Sequence, residues 1–344
     1  MPPQPSDPWL EGIVLVLTIA SFATWFALWE RRKQGPILPF EPRRPVPWHG
    51  IWTLLPILFV VLVIIGAIRG AASDDGAKPA DETGTVEQMV FGSLQEVAFV
   101  VAFLTVVVVV SAATRSDFGL PTDNRELLRD VRIGMIAWLA SLAPVYGVQI
   151  LLFSMFGPSE GHPLVKMLEQ QSNPMLFLGA FAVAVVVAPV CEELLFRLLL
   201  QGWLEKWEDL RLGWREAAVN DEARMTNDEL QPTHAMSTTT SEDDPASDHS
   251  SFDIRHSSLA PALPPRFGLG GLPYGSLPIL IGSLLFALAH IGYGPEPVPL
   301  FFLALILGYV YQRTHRIVPS IVAHALFNGA SLFALWRVTS AGAQ

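Results

Sequence analysis

Three short stretches place ionisable or amide side chains where a membrane tolerates them least. They are Glu192, Glu193 and Arg197 in "CEELLFRLLLQGW", His290 in "LLFALAHIGYG", and His324 with Asn328 in "IVAHALFNGASL". Each group interrupts a long apolar run, and charges in hydrocarbon are costly enough that they face a protein interior or a water-filled cavity. Glu193 and Arg197 stand four residues apart with the acid first, the order that favours an ion pair on one helix face. Glu192 points about 100° away around the same helix and has no partner in its own segment. Such an acid suits a general base when a second group orients it, and His290 is the candidate for that group. His324 and Asn328 share a face at a spacing of four, where they can donate two hydrogen bonds to a developing oxyanion. Together these are the parts of a hydrolase that activates water.

Taken singly, the same residues have plainer uses. Glu193 and Arg197 can brace a helix bundle, His290 can be a packing residue, and His324 with Asn328 can join two helices through hydrogen bonds. Glu192, His290 and His324 also match the ligand count of a catalytic zinc site. No His-Glu-x-x-His occurs, so zinc would have to be gathered from three helices. Zinc is therefore possible, but the acid and histidines suffice without it. Cys191, the one cysteine, excludes an intramolecular disulfide, and a lone thiol among apolar neighbours reads as inert.

Each motif lies on a different apolar segment, so the elements that carry them decide whether they meet. Of the 344 residues 51% are hydrophobic and 16% charged, too apolar for one soluble core. The expected fold is an all-α, polytopic membrane bundle of about eight helices, with spans at roughly 9–30, 50–69, 89–113, 133–156, 175–203, 275–292, 297–313 and 317–337. Lys and Arg collect in "RRKQGPILPFEPRRP", in "RSDFGLPTDNRELLRDVR", after Arg197 and in "RTHR". The alternate loops are acidic or nearly uncharged, so the positive-inside bias puts the basic loops in the cytoplasm and both termini outside. Trp9, Trp29, Trp48, Trp52, Trp203, Trp207 and Trp336 fall near span ends, as interfacial anchors should.

Residues 208–270 break the pattern. They hold twelve acidic and five basic residues, most of the formal charge of −10, and are poor in large apolar side chains. This reads as a disordered acidic cytoplasmic insertion. Its histidines, His234, His249 and His256, have no metal-site spacing. The chain divides into N-terminal transmembrane helices and loops (1–132), a core (133–207 and 271–337) and the insertion between the two halves of that core.

The three motifs have the forms Glu-Glu-x-x-x-Arg, Phe-x-x-x-His and His-x-x-x-Asn, in that order on separate spans. In this the chain resembles the CPBP family of intramembrane proteases, the CAAX protease and bacteriocin-processing group also called Abi, over roughly residues 135–337. The resemblance implies that Glu192 and His290 activate water, that His324 and Asn328 stabilise the oxyanion, and that Glu193, Arg197 and Phe286 support them. It implies an endopeptidase, glutamate-dependent or metalloprotease, that cuts membrane-associated proteins or peptides such as prenylated CAAX proteins. The expected setting is the lipid bilayer of a bacterial plasma (inner) membrane, with no nucleic-acid partner. The competing reading is a non-catalytic membrane scaffold or regulator whose polar cluster only packs helices; a transporter would use the same charges as an ion path.

Overall fold

The computed structural model describes residues 8–48, 58, 82–157, 178–179, 181–214, 264–291 and 297–341. The described residues form seven helices and no strand; Phe267 and Pro273 make an isolated bridge. In chain order they are α1 (Pro8–Gln34), α2 (Glu82–Ser111), α3 (Asn124–Phe156), α4, α5 (Ser276–Leu288), α6 (Pro297–Thr314) and α7 (Ile317–Ala341). Helix α4 is one run built from Val183–Val187, Ala188–Glu193, Leu194–Gln201 and Gly202–Leu212, the first and third of these being wide π-type turns.

The all-α membrane bundle read from the sequence is thus the observed architecture. Helix occupies seven of the eight expected spans, and the expected span 50–69 lies, except for Leu58, outside the described residues. Helices Pro8–Gln34 and Asn124–Phe156 and the stretch Ile317–Val338 are long and apolar enough to cross a bilayer; Val97–Ser111 and Ser276–Leu288 are shorter apolar helices. Side chains on the outside of the bundle, such as Val16, Phe26, Val109 and Phe156, are large, apolar and exposed, as a lipid-facing wall requires.

Local chemistry sets the helix ends. Asp123 caps α3 by accepting hydrogen bonds from the backbone N–H groups of Arg125 and Glu126, both at 2.8 Å. Gly213 closes α4 at φ 62°, in the left-handed region that favours glycine. Inside α3, Pro144 lacks the N–H that would bond to the Ala140 carbonyl. The indole of Trp25 on α1 donates to that carbonyl at 2.9 Å, and the Ser21 hydroxyl donates to Leu139 O at 2.6 Å. The proline thus opens a seat for α1.

Helix α3 lies against α7 through Gly134. A Cβ there would meet the Val322 Cβ at 2.7 Å and the Pro319 carbonyl oxygen at 2.8 Å, so only glycine permits this approach. Further along, the Tyr146 ring stacks on Phe327 at 5.4 Å and its hydroxyl pairs with Ser331 at 2.7 Å. Leu303, Leu307 and Val310 of α6 fill the space beneath.

Three of the four basic segments are tied to each other. Arg44 donates to Asp117 (Nε to Oδ1, 2.6 Å), Arg129 pairs with Glu41, and Arg316 bridges Asp130 at 2.6 Å and Glu126 at 3.2 Å. Asp117 is pushed up by burial, but its hydrogen bonds from Arg44 and Thr114 outweigh this and hold it below the ordinary carboxylate range.

Three expectations change. Trp48 is no interfacial anchor: it is buried, 1% exposed, with its indole N–H directed at Leu199 O (3.4 Å), because the segment before it runs back across α4. Trp52 lies outside the described residues. The apolar segment ending at 203 continues as helix to Leu212. The acidic stretch does not begin at 208 as open chain either, since Glu208 and Asp209 are buried against the returning segment. Glu208 accepts the N–H groups of Leu269 and Gly275, and Asp209 accepts the Trp214 indole and the Tyr274 hydroxyl. The rest of the insertion, with His234, His249 and His256, lies outside the described residues, as do His49 and His162.

Candidate active site

The short α-helical turn Ala188–Glu193 between the two π-type segments of α4 carries both glutamates. Wide turns of this kind are rare and recur at functional sites. In the first of them the Ala188 N–H reaches back five residues to Val183 O. The next bond in that register would come from residue 189, which is proline and has no N–H, so the Ala184 carbonyl is left over. The Asn328 side chain takes it, Nδ2 donating at 2.8 Å. A sequence-local feature of α4 thereby fixes the third motif on α7.

Glu193 is the hub. It is wholly buried and divides its carboxylate, Oε2 accepting from Arg197 Nε at 3.2 Å and Oε1 facing His324 Nδ1 at 3.0 Å. The ion pair expected from the spacing is present, but it is not self-contained: Glu193 also holds the histidine of another helix. A carboxylate can only accept, so Nδ1 of His324 carries the proton and Nε2 points the other way. That Nε2 lies 3.7 Å from Glu192 Oε2, an ion-pair distance rather than a hydrogen bond. Glu192 Oε2 is buried and has no hydrogen-bond partner.

His290 stands in the turn that follows Leu288, inside the expected span 275–292 but just beyond the end of α5. Its Nδ1 sits 2.8 Å from the Phe286 carbonyl oxygen one turn back. A carbonyl accepts only, so this nitrogen is the protonated one and Nε2 keeps its lone pair in the neutral ring. Counted along their helices, His290 and His324 start at unequal depths, yet both rings pack on Phe286, at 4.9 Å and 5.6 Å between centroids. Phe286 is fully buried, meets Phe196 edge-on at 5.2 Å and lies under the Arg197 guanidinium at 5.4 Å. All three motifs therefore touch one aromatic ring or one carboxylate network.

Not every expected pairing is made. Among the described residues Glu192 has its ion-pair contact with His324, and none joins it to His290. Nor do the described residues offer any group of three His, Cys, Asp or Glu side chains arranged to hold a metal ion. In the zinc set Glu192, His290 and His324 each histidine gives its Nδ1–H to an acceptor, Phe286 O or Glu193, and keeps Nε2 for another partner, as metal-ligating histidines do, so these hydrogen bonds by themselves do not exclude a zinc ion.

A second buried polar cluster carries no motif. Arg43, from the extended segment after α1, donates to Glu205 (2.9 Å) and to the Tyr311 hydroxyl (2.7 Å). His315 faces Glu205 at 3.2 Å and Glu41 O at 2.5 Å. Burial pushes the Glu205 carboxyl up, but His315, Arg43 and Gln201 outweigh it and hold it below the ordinary value. From sequence His315 was a boundary residue and Arg43 a loop charge. The signal that could have found this cluster is the repeat Glu193, Arg197, Gln201, Glu205, Asp209, polar at every fourth position and buried throughout. In an α-helix such a repeat drifts by about 40° per step. The wide turn Leu194–Gln201 offsets that drift, which keeps the stripe on one face.

A family model described as type II CAAX prenyl endopeptidase Rce1-like matches residues 174–219 and 262–330, about a third of the chain. Both matched stretches carry motifs, Glu192 to Arg197 in the first and Phe286 to Asn328 in the second. The match bears out the CAAX-protease resemblance read from those motifs. No curated protein and no solved structure matches the chain. The family match, with the apolar helices, supports an endopeptidase embedded in the membrane.

Proposed function

We propose that this chain, with its Rce1-like core, hydrolyses peptide bonds of membrane-associated proteins or peptides with a water molecule activated by Glu192 and His290. The observation that carries the reading is the convergence of three motifs, from α4, the end of α5 and α7, on Glu193 and Phe286. Glu192 Oε2, buried and without a hydrogen-bond partner, is the base that removes a proton from water. His290, its Nδ1 committed to Phe286 O, offers the Nε2 lone pair to orient the same water. As the hydroxide adds to the scissile carbonyl, charge develops on the carbonyl oxygen. His324, held through Nδ1 by Glu193, presents Nε2–H to it when protonated. Asn328 has two N–H donors, and the one not bonded to Ala184 O is the second donor. Collapse of the tetrahedral intermediate returns the proton from Glu192 to the leaving amine, so protons balance over the cycle. The substrates are CAAX-type or other membrane-anchored peptides, and the setting is a bacterial plasma membrane with the basic segments in the cytoplasm.

A scaffold reading is favoured by one observation: Glu193, Arg197, His324 and Asn328 are all engaged in contacts within or between helices. Replacing Glu192 by Gln separates the two, because it keeps shape and hydrogen bonding while removing the base. With a fluorogenic membrane-anchored peptide in nanodiscs, Glu192→Gln is expected to abolish turnover without altering the fold. Wild-type turnover in that variant would leave the scaffold reading ahead.

A further inference from the structure

Arg197 spends only one of its nitrogens on Glu193. Nη1 and Nη2 are buried and meet no hydrogen-bond partner. One step along the stripe, Gln201 donates Nε2 to Glu205 and to Gly308 O, while its Oε1 is buried with no donor. These atoms face the same place. A Cβ built on Gly308 of α6 would lie 3.1 Å from Gln201 Oε1 and 3.7 Å from Arg197 Nη1, and one on Gly282 of α5 would lie 3.7 Å from that Nη1. Two glycines thus leave a notch into which donors and an acceptor point. Beside Gly282, the buried Ser283 Oγ also lacks a partner. On the same helices Glu192 Oε2 of α4 and Gln312 Nε2 of α6, the latter one turn past Gly308, are likewise buried without a partner.

Buried polar atoms left unsatisfied are costly, so a run of them along one seam calls for a ligand. An anion would suit the guanidinium but be repelled by Gln201 Oε1 and by the Glu193 carboxylate. A small neutral molecule that both donates and accepts satisfies every member of the set, and water is that molecule. We infer that the seam where α4 faces Gly282 and Gly308 is a built site for internal waters, and that it delivers the hydrolytic water to Glu192 from the end of the bundle marked by Arg43, Glu205 and His315. Arg197 and Gln201 are positioning residues of this path. The delivery step rests on Glu192 being the water-activating base; the water site itself does not.

The test has two arms. A high-resolution structure in nanodiscs is expected to show ordered water within about 3 Å of Arg197 Nη1 and Gln201 Oε1. A dry notch with those atoms paired to protein overturns the site. In the second arm Gly282→Ala fills the notch at ordinary contact distances, 3.7–3.9 Å, and alanine suits a helix better than glycine, so the fold is not at risk. It is expected to lower kcat roughly tenfold, the factor that one unsatisfied buried donor carries, with KM unchanged. Unchanged kcat in Gly282→Ala, with Glu192→Gln inactive, rejects the delivery path alone. Turnover that persists in Glu192→Gln rejects the catalytic reading and delivery together, while water at Arg197 would still be seen.

Discussion

Glu193 does more than its spacing to Arg197 implies. Because it orients His324 as well, Glu193→Gln should cost activity rather than only stability: the loss of charge behind an orienting carboxylate lowers turnover by on the order of a hundredfold to ten-thousandfold. A kcat within twofold of wild type would show that His324 needs no such partner. Arg197→Ala should add a loss of stability to its effect on turnover. It leaves Glu193 as a buried charge with one partner fewer, and removing one member of a buried pair costs about 3–5 kcal/mol. Thermal melting in detergent would register this; a melting temperature equal to wild type would mean that Arg197 contributes nothing net. Glu192→Gln and His290→Ala should each abolish cleavage, and the double variant should be no worse than either, because groups acting as one unit are non-additive. Additive losses would separate the two residues mechanistically.

At the scale of elements, glycine and proline decide where the helices sit. Gly134→Ala must push α3 from α7, since the new methyl meets Val322 and the Pro319 carbonyl at 2.7–2.8 Å. His324 rides on α7, so both melting temperature and kcat should fall, and a variant with normal kcat would show that α7 tolerates displacement. The extended segment after α1 is tied down by Arg43 and Glu205. Glu205→Ala should free that segment, seen as faster proteolysis between residues 36 and 48 in nanodiscs with the bundle otherwise intact. The sign of the pH effect follows from the carboxyl's depressed value. Glu205 contributes its stability at neutral pH, and that contribution is lost as pH falls from about 4.5, the ordinary glutamate value, through its lower folded value. The difference in stability between wild type and Glu205→Ala should therefore shrink only under strongly acidic conditions.

For the whole molecule, the acidic insertion leaves and rejoins the bundle at one point. Trp214 and Tyr274 meet edge-on at 5.9 Å, and Glu208 accepts from both Leu269 and Gly275. Deleting residues 225–260 should consequently leave membrane insertion and melting temperature unchanged; aggregation of the deletion variant in mild detergent would show that the segment belongs to the fold. Protease added to inside-out vesicles should cut near Asp243, whereas protection there with cleavage in intact cells would invert the topology.

Helix existence and chemistry were legible along the chain because both are local. Apolar runs long enough to cross a bilayer mark the helices, and motif spacing on one helix face follows from 3.6 residues per turn. The pairing of Glu193 with Arg197 and the lack of a partner for Glu192 within its own helix could be read in this way. Which groups meet across helices is not local. The bond from Glu193 to His324, the shared Phe286 ring and the Asn328 contact to Ala184 depend on the α4 turns, on Pro189 and on the Gly134 approach, none of which hydropathy reports. The sequence offers His290 as the group that orients Glu192, but that Glu192 also has an ion-pair contact with His324, on a third helix, is visible only in the packing. Arg43, Glu205 and His315 escaped notice because two of them read as ordinary loop charges, and only folding removes them from water. Residue type and spacing determine what each side chain can do; tertiary packing decides which partner it does it with, because a buried polar group can choose only among the neighbours that packing brings beside it.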